Sequence, residues 1–416
     1  MAIIKPFRGL RPPKEFVAEV ACLPYDVMNS KEAAQMAQGK PKSLLHITRA
    51  EIDMPEGIDE HSDEVYQKSK ENFRAFIQKG WLVQDAEPYY YIYAQKMGNH
   101  IQYGIVANAH IDDYFNGIIR KHELTRPDKE LDRTHIINIT NANVEPVFFA
   151  YKAVAEIDQI VEKWTKEHQP DYDFVADDGF GHTLWTITDL NLVKQLEELF
   201  ATKVPYTYVA DGHHRTAAAA IVGKERKEKN PNHTGNEEYN YFMAVHFPDN
   251  QLKIIDYNRL VKDLNGLSKE QVIEKIKQNF DVEIKGKDIF TPNKLHNFSM
   301  YLDGLWYCLT AKSNTYNDND PLECLDVNVI SKYVLDEVFG IQDLRRDKRV
   351  DFVGGIRGLG ELKKRVDSGD WAVAFALYPV SMEQLIRIAD TGNIMPPKTT
   401  WFEPKLRSGL VIHLLD

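Results

Sequence analysis

Apolar and polar positions alternate along this chain in short blocks of two different periods. "KEAAQMAQG" and "DEVYQKSKENFRAFIQKGW" predict helices. In the second, Val65, Phe73 and Phe76 fall near helical spacing and Gly80 stands just past the end. "PYYYIYAQKMGNHIQYGIVANAHI" holds two aromatic and β-branched runs on either side of "MGNH", which predicts a hairpin. The charged stretch "IIRKHELTRPDKELDRTHIINITNANVEPVFFAY" begins as a loop and short helix and ends in a buried strand, "VFFAY". "EIDQIVEKWTKEH" and "LNLVKQLEELFAT" are amphipathic and predict helices around the strand "TLWTIT".

"YTYVA" then predicts a strand, and "RTAAAAIVGKERKEK" a helix whose apolar face fades into solvated charge. "NYFMAVHF" and "LKIIDYNRLV" read as a further strand pair. From about Leu267 a compact unit is expected: helix "SKEQVIEKIKQNF", strand "DVEIK", and "NFSMYLDGLWYCLTA" folded at the two-residue turn Asp303-Gly304. The last quarter mixes the helix "VNVISKYVLDEVFG", the glycine-rich "VGGIRGLGELKKRV", the strand "WAVAFALY" and the tail "MPPKTTWFEPKLRSGLVIHLLD". The glycine-rich stretch lacks the order of a phosphate loop or a dinucleotide fingerprint and reads as a turn before a helix. Irregular alternation and frequent hairpins predict a mixed-sheet α/β or α+β fold. Three segments are expected: 1–115, 116–262 as the core, and 263–416.

With 416 residues, 43% hydrophobic and 27% charged, the chain is long enough for two or three packed units. Its net charge of −11 argues against a nucleic-acid partner held by phosphate-backbone contacts. No run approaches the roughly 18 apolar residues of a membrane span, and "MAIIKPFRGLRPPKEF" lacks a signal peptide's apolar stretch. Cys22, Cys308 and Cys324 are scattered and form no CxxC pair, as expected of buried reduced thiols. The expectation is a cytoplasmic protein without a membrane or nucleic-acid partner, its oligomeric state left open.

The chemistry concentrates in "YVADGHHRTAAAA". Gly212 lets the backbone turn sharply. The helix opening at Arg215-Thr216 directs free N–H groups and its positive end at the corner, a seat for an anion that Arg215, His213 and His214 reinforce. Asp211 is not needed for an anion alone; a carboxylate there suits a divalent cation or accepts a proton. A plain Asp-Gly turn with the histidines capping the helix is the bland alternative. A zinc site is another, lacking a clear third ligand and any HExxH.

Further candidates lie elsewhere. "KHELTRPDKELDR" groups His122, Glu123 and Thr125 among Arg120, Lys121 and Arg126, where Glu123 suits a general base or metal ligand, or the stretch is a solvated loop. In "LPYDVMN", Asp26 is a candidate acid or a cap for the helix that follows. Asn141, Asn143 and Glu145 in "NANVEP" either hold a polar substrate or form a turn. In "MPPKTTWFEPK", Lys398 and Thr399 suit a phosphate clamp, with Lys405 adding charge; the alternative is a rigid strand burying Trp401 and Phe402.

"YVADGHHRTAAA", with "LPYDVMN", "KHELT", "NITNANVEPVFF" and "MPPKTTWFEPKLRSGL", resembles the pattern of the DUF1015 family from Pro24 to Leu410. The Asp-Gly-His-His-Arg corner is also similar to the nucleotide-binding box of the superfamily that includes ParB, sulfiredoxin and ADP- or ATP-dependent free serine kinases. That likeness implies a ParB/sulfiredoxin-like core elaborated by N- and C-terminal segments. It implies a corner that holds nucleotide phosphates through Gly212, His214, Arg215 and Thr216, with Mg²⁺ at Asp211 and ADP or ATP as the nucleotide. Position 213 is His where sulfiredoxin chemistry needs a cysteine nearby, and no helix-turn-helix or basic DNA surface accompanies the box. The resemblance therefore implies phosphotransfer between a nucleotide and a small hydroxy amino acid, serine or phosphoserine. Asp211, His213, Glu123 and Asp26 are then the catalytic candidates, with Asp26 or Glu123 activating the substrate hydroxyl. A phosphoserine phosphatase and a nucleotide-binding regulator without small-molecule turnover are the alternatives.

Overall fold

The computed structural model describes residues 1–416. The chain divides into two compact units: Met1–Leu252 with Pro404–Asp416, and Lys253–Glu403. The second is thus a continuous insertion near the C-terminal end of the first.

The first unit is built on a nine-stranded mixed sheet. Its strands are β1 (Ile4–Lys5), β2 (Tyr90–Met97), β3 (His100–His110), β4 (Ile119–Arg120), β5 (Val147–Tyr151), β6 (Tyr172–Val175), β7 (Gly181–Ile187), β8 (Thr207–Asp211) and β9 (Tyr241–Pro248). The spatial order is β4–β8–β5–β9–β3–β2–β7–β6, with β1 also on β3. β8 runs parallel to β4 and β9 parallel to β5; the other pairings are antiparallel. The central strands are buried along their length: Val147–Tyr151 at every position and Tyr90–Gln95 without a break. That explains why these stretches read as near-continuous apolar runs rather than as alternation.

Helices α1 (Asp63–Gln78), α2 (Pro127–Thr140), α3 (Ala155–Glu167), α4 (Leu190–Lys203) and α5 (His213–Lys229) bury their apolar stripes against this framework. Ile157, Trp164, Leu196 and Phe200 of α3 and α4 join Tyr90, Ile92 and Ala107 in one cluster. Ala218, Ala219 and Val222 of α5 join Val147, Phe149, Val209 and Phe242 in another. The alanine row keeps α5 slim, so its first half is buried apart from His214, including Ala217 to Ala220. Phe73 and Phe76 of α1 meet Leu44, Ile47, Ile136 and, from the returning tail, Ile412.

The second unit carries a six-stranded antiparallel sheet, with strands Tyr257–Val261, Phe280–Gly286, Asn297–Leu302, Leu305–Ala311, Val350–Gly354 and Val373–Ala376. The expected turn is present: Asp303 and Gly304 both have positive φ, 49° and 77°, as a type I′ hairpin requires. The helix expected in "VNVISKYVLDEVFG" changes pitch within itself, α-helical over Asp326–Ile330 and π-helical over Ser331–Asp336.

The fold is the mixed-sheet α/β arrangement that the patterning predicts. Three details differ. The strands of "NYFMAVHF" and "LKIIDYNRLV" do not pair with each other, because the chain leaves the first unit at Leu252 between them. The "short helix" after "KHELT" is a 14-residue helix, α2, entered through Pro127 at its first position. The expected boundary at 115 lies within a single sheet, since β3 and β9 pair across it. The boundary expected at 262 lies inside the second unit, which begins at Lys253, and the expected segment 263–416 is divided, since Pro404–Asp416 returns to the first unit. The three cysteines are unpaired and buried, and no helix is long and apolar enough to cross a membrane.

One buried histidine in β9 links the core to pH. His246 is 1% exposed, packs against the Phe149 and Phe200 rings, and neither ring nitrogen has a protein partner. Burial pushes its pKa down to about 3. The unfolded chain takes up this proton near pH 6.5, the folded chain only near 3. The contribution is therefore complete above about pH 6.5 and is lost as pH falls toward 3. In urea denaturation between pH 6 and 4, His246→Leu is expected to flatten the decline in stability by up to about 1.4 kcal/mol per pH unit. An unchanged pH slope would assign the acid sensitivity to other groups.

Candidate functional site

Strand β8 ends at Asp211, and the chain enters α5 through Gly212, whose backbone is left-handed at φ +88°. A side chain here would be strained, and its Cβ would lie 3.1–3.2 Å from the Arg215 guanidinium. α5 begins at His213, two residues before the start expected at Arg215, and no side chain caps it. The N–H groups of its first turn therefore lack intrahelical acceptors and face outward at the dipole's positive end. Thr216 serves the helix itself, its hydroxyl donating to the Gly212 carbonyl at 3.0 Å.

Arg215 is 6% exposed. Its Nη1 donates to the Pro146 carbonyl at 2.6 Å and its Nη2 lies 4.0 Å from Asp26 Oδ2, while the buried Nε has no protein partner. Asp26 stands on a 3₁₀ turn, Tyr25–Val27. It does not cap the next helix: Asn29 does, in a capping box with Glu32, which leaves the Asp26 carboxylate facing Arg215. Glu145 holds that turn in place. One of its oxygens accepts the Tyr25 N–H at 3.0 Å and the other accepts from Arg133 at 3.1 Å, and the Arg133 guanidinium lies 3.6 Å from the Tyr25 ring centre.

The returning tail supplies the corner's second cation. Lys405 Nζ donates to Asp211 Oδ2 at 3.0 Å, and Asp211 Oδ1 accepts the Gly212 N–H at 3.0 Å. Burial favours the neutral acid here, yet Lys405 and Arg215 outweigh it and hold the Asp211 carboxyl well below the usual range. A Mg²⁺ ion at Asp211 does not fit this arrangement, because an ammonium group already takes the cation's place on the carboxylate.

His213 turns toward the "KHELT" segment. Its ring packs edge-on against His122 at 4.5 Å between centres, and its Nδ1 is 3.9 Å from Glu123 Oε2. Both imidazoles are buried, at 6% and 2% exposure. Burial pushes His122 down to about 4, partly offset by Asp211, and pushes His213 well below the ordinary histidine value, with His122 adding to the effect. His214 is also lowered by burial, against the pull of Asp26 and Glu130, and its Nε2 has no protein partner.

Asp211, His213, Arg215, Asp26 and Glu123 are thus drawn around one corner from three separate parts of the chain. The remaining candidates have other engagements. Asn141 takes the left-handed position after α2 and accepts from Arg226; the buried Asn143 pairs with His413. Their amides fasten α2 and the tail rather than presenting free groups for a substrate. Lys398 and Thr399 belong to the second unit. There the Lys398 carbonyl accepts from Arg259, and the Thr399 hydroxyl donates to the Pro396 carbonyl at 2.6 Å. The motif "MPPKTTWFEPK" straddles the unit boundary, and Lys405, past that boundary, is the lysine that meets the corner. Arg133, fixing Glu145, gave no signal in the sequence beyond a charge on a helix. A cavity of about 900 Å³ in the second unit, lined by Tyr316, Asn328, Lys332, Arg345 and Pro396 among others, holds none of these residues.

The chain belongs to the family described as "Protein of unknown function (DUF1015)", whose model matches residues 4–328. Comparison with curated protein sequences gives no match. Among solved structures, the chain is similar to a free serine kinase variant in complex with AMP, at 14% identity and a TM-score of 0.35, covering 72% of this chain and 87% of that one. It is similar to a conserved hypothetical protein from Pyrococcus furiosus at 14% identity and TM-score 0.35, covering 75% and 95%. It is also similar to C-terminally truncated SbnI from Staphylococcus aureus, at 10% identity and TM-score 0.39, covering 74% and 87%.

The Asp211–Lys405 pair yields a direct test. Lys405→Met strands a largely buried carboxylate, and a stability loss of about 2–3 kcal/mol is expected in denaturant titrations. Adding Asp211→Asn to that variant is expected to recover about half. A loss under about 0.5 kcal/mol for Lys405→Met would show that the tail is not held by this pair.

Proposed function

We propose that the protein is a phosphotransferase acting between a nucleotide and a small hydroxy amino acid, with serine and phosphoserine as the amino-acid pair. The observation that carries this reading is the corner's opposition of charge. The buried Arg215 and the uncapped start of α5 offer an anion seat, and a carboxylate, Asp26, faces that seat 4.0 Å from the guanidinium. An arginine deep in the protein with an unpartnered Nε suits a multiply charged oxyanion, since each further hydrogen bond relieves its desolvation.

In this reading the phosphates of ADP or ATP lie over the first turn of α5, on the N–H groups of His213, His214 and Arg215. The serine Oγ attacks the terminal phosphorus; the new O–P bond forms as the bond to the leaving nucleotide oxygen breaks. The hydroxyl proton passes to the Asp26 carboxylate. Arg215 balances charge on the transferring group, and the low pKa of the Asp211 carboxyl keeps it ionised, holding Lys405 beside the same corner. Most of the rate comes from positioning and charge stabilisation, as is general for phosphoryl transfer. The family resemblance of the Asp-Gly-His-His-Arg box agrees with this chemistry and supplies the choice of serine.

Thermal-shift titration of ADP and ATP with Mg²⁺, followed by serine and phosphoserine, is the test. One nucleotide and one amino acid together are expected to stabilise the protein more than either alone. Arg215→Ala is expected to lose the nucleotide shift. Asp26→Asn is expected to keep that shift and to lose roughly 10²–10⁴-fold in turnover. Full nucleotide binding and turnover in Arg215→Ala would sink the proposal. Phosphate release from phosphoserine at the same rate with and without ADP would replace it with a phosphatase.

A further inference from the structure

We infer that His122, Glu123 and His213 form a binding site for one divalent transition-metal ion. A ligand atom from each of the three lies within 4.8 Å of those of the other two. Metal–nitrogen and metal–oxygen bonds of about 2.0–2.2 Å put cis donors roughly 3.0–3.5 Å apart. Small side-chain rotations therefore close the site without moving the backbone. The metal site stands on this cluster's own geometry; only its use toward phosphate rests on the phosphotransfer reading.

The fold builds the cluster from two places. β4 and β8 pair in parallel, with Ile119 opposite Thr207 and Arg120 opposite Tyr208. β4 ends at Arg120 while β8 continues to Asp211, and the segment past β4 brings His122-Glu123 beside His213, just past β8. Ordinary packing does not account for what results. Two imidazoles lie edge to face in the interior next to a carboxylate, and His213 Nε2 is buried without a protein acceptor or donor. Most buried polar atoms have a hydrogen-bond partner, so an unpartnered one beside two other donor groups calls for an explanation. A backbone hydrogen bond with Val209 orients the His122 ring, the kind of outer support that ligating histidines have. Glu123 is half-exposed and gives the site an open side.

The donor set selects the class of ion. Two imidazoles and one carboxylate suit Zn²⁺, Mn²⁺, Fe²⁺ or Co²⁺, whereas Mg²⁺ and Ca²⁺ prefer oxygen donors alone. Three protein donors leave coordination positions for water or a phosphate oxygen. The Asp211 carboxylate is taken by Lys405, so this cluster, and not Asp211, is the cation site of the corner.

The test uses the full chain, stripped with a chelator and dialysed. Calorimetric titration with Zn²⁺ and with Mn²⁺ is expected to show one equivalent bound by at least one of the two ions, with a rise in melting temperature. Mg²⁺ at the same concentration is expected to give neither. Glu123→Gln and His122→Asn are each expected to weaken binding at least tenfold. Electron paramagnetic resonance of the Cu²⁺-loaded wild-type protein is expected to show coupling to two imidazole nitrogens, a readout that does not depend on how the variants fold. No stoichiometric binding of either ion would overturn the inference, as would undiminished affinity in folded variants or a Cu²⁺ spectrum without nitrogen coupling. The nucleotide shift of the metal-stripped protein in Mg²⁺ tests the phosphotransfer reading separately, so either can fail alone.

Discussion

Everything at this corner depends on keeping a guanidinium charged in the interior. Arg215 is nearly inaccessible, and burial alone disfavours its charge; Asp26, Glu145 and Asp211 outweigh that and raise its pKa above the ordinary arginine value. A buried cation of this kind is stable only while its partners stay in place, and removing one leaves an uncompensated charge. The three carboxylates come from the Tyr25–Val27 turn, the approach to β5 and the end of β8. One electrostatic requirement therefore ties together parts of the chain more than a hundred residues apart.

The same logic explains the path of the tail. The chain departs at Leu252 to build a separate unit and returns at Pro404, and the returning segment is rich in groups that the first unit uses. Lys405 meets Asp211, and Arg407 donates to His182 while pairing with Asp178. Ser408 pairs with Cys22 through the backbone, and His413 joins Asn143 and Glu238. His182 is held neutral by burial and by Arg407, which lets its ring accept from that arginine while Nδ1 bonds the Tyr93 hydroxyl. The thirteen-residue tail thus fastens to the first unit through ion pairs, neutral hydrogen bonds and backbone pairing together.

Local periodicity made most elements legible. The hairpin about "MGNH", the Asp303-Gly304 turn and the amphipathic helices α1, α3 and α4 all depend on near neighbours, where side-chain spacing and turn chemistry dominate. The Asp-Gly-His-His-Arg corner was legible for the same reason: a glycine between a strand and a helix start is a local arrangement. Reading failed where long-range partners decide. Asn141 and Asn143 looked like substrate amides because nothing nearby announces Arg226 and His413 as their partners. Lys398 and Lys405 are seven residues apart in one motif, and no local feature marks that the unit boundary passes between them.

Residue order was enough to establish an α/β chain, a strand–glycine–helix corner suited to an anion, and a surplus of functional side chains around it. These follow from patterns spanning a few turns of backbone, for which the physics is short-ranged. Which charges meet there was settled by packing. Parallel pairing of β4 with β8 brings His122 and Glu123 to His213, the Glu145–Tyr25 bond sets Asp26 opposite Arg215, and the tail's return delivers Lys405 to Asp211. Each is a contact between distant segments whose energy depends on burial and on the low local dielectric. Neither quantity exists until the chain has folded.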